Sequence, residues 1–156
     1  MVELLKQIYS WNYLLSVALT GWLVAQILKT IINFILLGKF SAERLWGSGG
    51  MPSSHSSTVC ALAVAAGRYA GTQSPIFAIC VIVAAIVMYD AMGVRRETGE
   101  QAKILNQMIT DWMDAESFRN PILADKKLKE MVGHTPFEVL GGAVLGIALG
   151  FLIPVF

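Results

Sequence analysis

What this sequence has least of is charge. Only 15% of its 156 residues are Asp, Glu, Lys or Arg, against about 25% in an average soluble domain, too few to clothe a water-facing surface. That scarcity excludes a disordered chain, a coiled-coil rod and an ordinary soluble globular domain. Twelve basic residues face eleven acidic ones, a net charge of +1, so no wide basic face is available for nucleic acid. Cysteine is nearly absent: Cys60 and Cys80 both lie in apolar runs, cannot make a disulfide scaffold, and read as small core residues. There are two histidines, His55 and His134, without other ligands at suitable spacing, which makes a poor zinc site. Neither a metal nor a cofactor is expected. No internal repeat and no low-complexity tract interrupts the chain.

What is present is apolar: 55% of the residues are hydrophobic, in a length that suits one domain, 1–156. A membrane-spanning helix needs about 20 mainly apolar residues, and four stretches approach or exceed that. The first runs from about Trp11 to Leu37 with one charge, Lys29. It is far longer than the apolar part of a cleavable signal, and no A-x-A-like site follows it. The second, about Ser57 to Ala70, is short and ends near Arg68. It spans only if His55 and its neighbours sit below the membrane surface in a protein-lined or wet cavity. The third runs from about Pro75 to Met92, and the fourth from about Pro136 to Phe156. Gly142, Gly146 and Gly150 in the fourth form a small-xxx-small row that lets helix backbones approach closely in lipid, either within the chain or between two copies as a homo-oligomer contact.

Between the third and fourth stretches lies a long polar segment, Gly93 to Thr135. Leu105, Met108, Ile109 and Trp112 recur at helical spacing, which predicts an amphipathic helix over about Gly99 to Glu116, lying on the bilayer or against the bundle. A second short helix is expected from Asp125 as N-cap to Gly133 as C-cap residue. The fold class that follows is an all-α integral membrane bundle of about four transmembrane helices with an amphipathic helix in the long loop. Four spans put both termini on one side. The loops on the other side hold Lys39, Arg44, Arg95, Arg96, Lys103, Arg119, Lys126, Lys127 and Lys129, against only Lys6 and Arg68 opposite. The positive-inside rule places the nine in the cytoplasm, in a protein of the cell membrane.

The unusual polar residues all gather at the ends of spans on that basic side. Gly49-Gly50-Met51-Pro52-Ser53-Ser54-His55-Ser56 combines flexible, helix-starting and N-capping residues, and so builds a helix N-terminus able to hold an anion. The serines alone could be simple caps, but a cap has no need of an imidazole. Tyr89-Asp90-Ala91-Met92-Gly93-Val94-Arg95-Arg96 closes the third stretch with an arginine pair that can fork onto phosphate oxygens or serve as positive-inside anchors, with Asp90 as an ion-pair partner. Gly133-His134-Thr135-Pro136-Phe137-Glu138 opens the fourth with capping-box spacing between Thr135 and Glu138. Glu138 could equally hold the His134 imidazole in one tautomer, and the two roles are compatible. Lys29, an ammonium inside an apolar helix, is a functional candidate unless it snorkels to the interface. Histidine can attack phosphorus or donate a proton near neutral pH.

Taken together these residues resemble the type 2 phosphatidic acid phosphatase and vanadium haloperoxidase superfamily, and look most like its small divergent membrane branch. The superfamily shows a lysine-arginine motif, then P-S-G-H, then S-R-x5-H-x3-D. Pro52-Ser53-Ser54-His55 is similar to the second, with Ser54 in place of glycine, and His134 with Glu138 keeps the H-x3-acid spacing. Arg95 or Arg96 would supply the arginine, separated from His134 by 38 or 37 residues where the superfamily has five. Lys29 would supply the lysine, with Arg44 a distant substitute for the motif's arginine. The longer forms G-G-M-P-S-S-H-S, D-x-x-G-V-R-R and G-H-T-P-x-E look like the branch's own signature. The resemblance implies a membrane phosphatase that hydrolyses a lipid or isoprenoid phosphate or diphosphate through a phosphohistidine. It implies His134 as nucleophile, His55 as acid toward the leaving group and Glu138 as the group orienting His134. Lys29, Ser53, Ser54, Arg95 and Arg96 would hold the phosphate. The expected partners are membrane lipids and an amphiphilic phosphate substrate, with vanadate competing. Because the arginine-to-histidine gap is so widened, a non-catalytic protein that binds or translocates lipid phosphate is the alternative reading.

Overall fold

The computed structural model describes residues 9, 11–37, 50–114, 128 and 133–155. Five helices account for most of them, and no strand occurs among the described residues: α1 (Tyr13–Leu37), α2 (Ser54–Ala70), α3 (Pro75–Met92), α4 (Val94–Asp114) and α5 (Pro136–Leu152). Each start has a local cause. Asn12 accepts the amide of Leu15 at 3.1 Å before α1. Ser53 caps α2. Ser74 accepts the amide of Phe77 at 3.2 Å, with Pro75 in the first turn of α3. Thr135 and Glu138 form a complete capping box behind Pro136, satisfying two amides that a helix start leaves without partners.

The four expected apolar stretches correspond to α1, α2, α3 and α5, and the expected amphipathic helix to α4. α2 begins at Ser54, behind the Ser53 cap and within the 49–56 cluster expected to start a helix. Two other boundaries differ from expectation. α4 begins at Val94, one residue beyond the break at Gly93 (φ −99°, ψ −94°), and not near Gly99, so both arginines lie on helix. α5 stops at Leu152. The short helix expected over 125–133 lies outside the described residues, Leu128 and Gly133 excepted. Tyr13–Ile35 and Pro75–Asp111 are long and apolar enough to cross a bilayer, and Pro136–Leu152 is a shorter apolar helix.

α2 is the central element and touches α1, α3 and α5. The packing inverts that of a water-soluble bundle. The buried positions are mostly small: Ala18, Ala25, Ala61, Ala65, Ala66, Ala84, Gly142, Gly146 and Gly150, with Ser53, Ser56 and Ser57. The large residues Leu15, Leu19, Leu23, Ile27 and Ile31 on α1, Ile79, Ile82 and Ile86 on α3, and Leu140, Val144 and Phe151 on α5 face outward. Water would penalise so wide an apolar exterior. A bilayer does not, and there association depends on close backbone packing between small residues.

The glycine row of α5 supplies that packing within the chain. A Cβ at Gly142 would overlap the carbonyl of Ser53, one at Gly146 would overlap the carbonyl of Ser57, and one at Gly150 would lie 2.6 Å from Val64 Cβ. The row therefore rests on α2, and these positions are not free for a second copy. At the other end of α5, the Arg68 guanidinium lies 2.6 Å from the carbonyls of both Gly150 and Ile153 and 3.0 Å from that of Phe151. Tyr13 Oη donates to the Ile153 carbonyl at 3.1 Å. Arg68 thus closes the carbonyl end of α5, where a cation suits the helix dipole.

Candidate active site

The first wall of the site is the start of α2. Ser53 is fully buried, and its hydroxyl accepts the amide of Ser56 at 3.4 Å and the hydroxyl of Ser56 at 3.1 Å. Its own amide donates to the Glu138 carbonyl at 3.0 Å. Ser53 thus builds the cap and ties α2 to α5 through its amide, while its hydroxyl oxygen accepts both of its bonds. The amides that remain without a described partner in this turn are those of Ser54 and His55. Ser54 is buried, while the His55 residue is exposed at the mouth of the site.

The second wall is the start of α5. Gly133 has φ +91°, a conformation that suits glycine, and a Cβ there would lie 2.5 Å from the Arg96 nitrogen and 2.7 Å from the Arg95 carbonyl carbon. The chain can press onto the α3–α4 corner only because this residue has no side chain. The next amide, that of His134, donates to the Ala91 carbonyl at 3.0 Å, a carbonyl freed because α3 ends one residue later. His134 is 3% exposed. Its Nδ1 lies 3.1 Å from Glu138 Oε2, and the same oxygen accepts the Thr135 amide at 2.9 Å. Glu138 is thus both cap and imidazole holder, the compatible pair of roles that the spacing allowed. With Nδ1–H donated to a carboxylate, Nε2 carries the lone pair, and that atom is buried with no hydrogen-bond partner among the described residues. The ring centroids of His55 and His134 are 6.1 Å apart at an interplanar angle of 64°.

Burial pushes the His134 imidazole below the ordinary histidine range. The charges of Lys29 and Arg95 push it the same way, while its hydrogen bond to Glu138 and that residue's charge pull it back up. The balance leaves His134 neutral at physiological pH, the form in which Nε2 can act as a nucleophile.

The cations complete the site. Lys29 is 3% exposed and its Nζ has no hydrogen-bond partner among the described residues, so it does not snorkel to water. Its stem passes Gly50, whose added Cβ would lie 3.6 Å from Lys29 Cγ. A buried ammonium without an anion is expensive, and an anion arriving here would relieve that cost. Arg95 donates from Nε to Asp90 Oδ2 at 2.6 Å, and its charge acts on both histidines. Both arginines are exposed and both contribute backbone to the Gly133 contact; of the two, Arg95 is the one whose charge acts on the histidines. Arg44 lies outside the described residues. Among the described residues no three His, Cys, Asp or Glu side chains gather as a metal site. Sequence reasoning missed the docking role of Gly133, for which a glycine immediately before His134 was the available signal. The Gly50 contact with Lys29 left no signal in the sequence.

No solved structure matches the chain. The uncharacterized membrane protein YuiD of Bacillus subtilis (strain 168) is 38% identical over 151 residues, which cover 93% of this chain and 96% of that protein. Residues 10–149 match the family described as the divergent PAP2 family. That span contains both histidines, Glu138, Lys29 and the α3–α4 corner, and on this evidence the chain belongs to the divergent PAP2 family.

Proposed function

We propose that this protein is a membrane phosphatase that hydrolyses an amphiphilic phosphate, a lipid or isoprenoid monophosphate or diphosphate, through a phosphohistidine on His134. The observation that carries the reading is the state of His134: Nδ1 held by a carboxylate, Nε2 buried and unpartnered, and a second imidazole 6.1 Å away between ring centres. A purely structural histidine would satisfy both nitrogens.

In the proposed reaction Nε2 of neutral His134 attacks phosphorus and the ester P–O bond breaks. The imidazolium of His55 passes its proton to the departing oxygen. Glu138 keeps the Nδ1 proton hydrogen-bonded and stabilises the positive charge that develops on the His134 ring. Lys29 and Arg95, with the amides of Ser54 and His55, balance the charge spread over the phosphoryl oxygens. In the second step His55, now neutral, takes a proton from water, the water oxygen attacks phosphorus, and the P–N bond breaks to free inorganic phosphate and His134. The substrate enters sideways from lipid, because the site lies at helix ends in a bundle whose exterior is apolar. The site faces the cytoplasm, as the nine-to-two distribution of basic residues supports.

The test is purified protein against a panel of long-chain lipid phosphates and a short water-soluble ester, with acid-labile phosphoenzyme trapped by rapid quench. Turnover and label should both vanish in His134→Ala and should favour the long chain. Lipid movement in proteoliposomes without phosphate release would instead support a translocating protein.

A further inference from the structure

We propose that Asp90 is a positioning residue: its carboxylate holds Arg95 by Nε, so that the terminal guanidinium nitrogens are presented to phosphate oxygens beside His134. The inference rests on the phosphatase reading and adds a residue whose role lies in aiming the arginine.

A guanidinium has five donors, one on Nε and four on the two terminal nitrogens. Asp90 Oδ2 takes the Nε donor at 2.6 Å, and the terminal nitrogens have no partner among the described residues. The grip therefore leaves free the fork that suits phosphate. The pair is also unusual in spacing. Side chains on one continuous helix meet at three or four residues, whereas Asp90 and Arg95 are five apart, on the last turn of α3 and the first of α4. They meet because the chain breaks at Gly93. The same corner receives His134, whose amide bonds Ala91, and Gly133, which presses on the Arg95 and Arg96 backbone. One corner thus carries the nucleophile's anchor and the arginine's. This gives a physical answer to the long separation in sequence between that arginine and His134: the two are joined through the corner and not along the chain.

A stability role accounts poorly for the pair. The two side chains are 48% and 37% exposed, and exposed ion pairs contribute little to folding. Precise aim is another matter, since a misplacement of about 1 Å can cost on the order of 10²-fold in rate.

The experiment uses the full chain in detergent and compares Asp90→Ala, Asp90→Asn, Arg95→Ala and the double variant Asp90→Ala/Arg95→Ala. It measures hydrolysis of a long-chain lipid phosphate, binding of inorganic phosphate, inhibition by orthovanadate, and Tm. Asp90→Ala should lower kcat/KM and raise the phosphate Kd and the vanadate inhibition constant by about 10-fold each, the scale of one lost charge-assisted hydrogen bond, with Tm little changed. Asp90→Asn retains an oxygen acceptor for Nε–H and should recover most of the loss. On the Arg95→Ala background, Asp90→Ala should do nothing further. Tighter phosphate binding in Asp90→Ala would make Asp90 a competitor for Arg95 and overturn the proposal. So would an equal loss on both backgrounds, or an unchanged Asp90→Ala in an active protein. If wild type neither hydrolyses the lipid phosphate nor binds phosphate, the phosphatase reading itself fails and takes this inference with it.

Discussion

Replacing Gly146 by alanine adds one methyl group where α5 lies directly on the backbone of α2. The added carbon would overlap the Ser57 carbonyl oxygen and lie 2.9 Å from both Ser57 C and Cα. Ordinary carbon–carbon contact is about 3.5–4.0 Å, so α5 must retreat from α2 by roughly 1 Å. All three opposing atoms are backbone, and no rotamer change can absorb the methyl. Overpacking of this kind costs about 1–3 kcal/mol. The retreat also moves His134 and Glu138, carried by α5, away from His55 on α2, and a shift of about 1 Å predicts a rate loss on the order of 10²-fold. Gly141→Ala is the matched control on the same helix: its methyl would meet the flexible end of Met51 at 3.1 Å, which can swing aside. The assay pairs thermal unfolding in detergent with phosphate release. Gly146→Ala should be lower in both while Gly141→Ala stays near wild type. If the two alanines behave alike, the glycine row does not set the α2–α5 approach and the reasoning fails.

Three further outcomes follow from the site. Loss of His55 should slow esters with poor leaving groups by about 10²–10⁴-fold, and a highly activated aryl phosphate should regain much of that rate in His55→Ala alone; equal losses on both esters would remove His55 from the role of acid. Because His134 must be neutral to attack and its protonation is shifted below the usual 6.5, the acid limb of kcat should lie below that value. Glu138→Gln removes the influences that raise it, so the limb should move lower still. An unmoved or rising limb would contradict the assignment. The same shift has a stability counterpart: the unfolded chain binds this proton first, so the contribution of neutral His134 is present above about pH 6.5 and is lost as pH falls through the folded value. For topology, a cysteine at exposed Lys103 should resist an impermeant thiol reagent applied outside intact cells, with native Cys60 and Cys80 silent because they are buried; ready labelling would reverse the orientation.

The parts of this molecule written locally were readable in the sequence. α3 occupies the expected Pro75–Met92 because Ser74, Pro75 and Gly93 mark its ends by their own backbone preferences. The Thr135–Glu138 capping box is likewise a matter of four adjacent residues. The start of α2 falls inside the 49–56 cluster for the same local reason, a serine N-cap at Ser53, although the burial of Ser54 and Ser56 depends on distant segments. α4 began earlier than its pattern suggested because two arginines and Gly99 obscure its first turns. The choice of Arg95 over Arg96, the docking of Gly133 and the role of Arg68 at the carbonyl end of α5 depend on segments distant in sequence, and no periodicity announces them.

The direct backbone contact of α5 with α2 also decides where this protein can open. Sliding one helix along the other would drive Gly142 and Gly146 over the carbonyl groups of Ser53 and Ser57, so these two helices behave as a single splint with a histidine fixed at the site end of each. Breathing that admits or releases a bulky tail must therefore occur at other seams. Among the described residues α1 and α3 do not pack on each other, whereas the α3–α4 corner is held to the start of α5 through Gly133 and the His134 amide. The seam between α1 and α3 can part while the spacing between the two imidazoles stays constant, separating the movement of substrate from the alignment of the reacting groups.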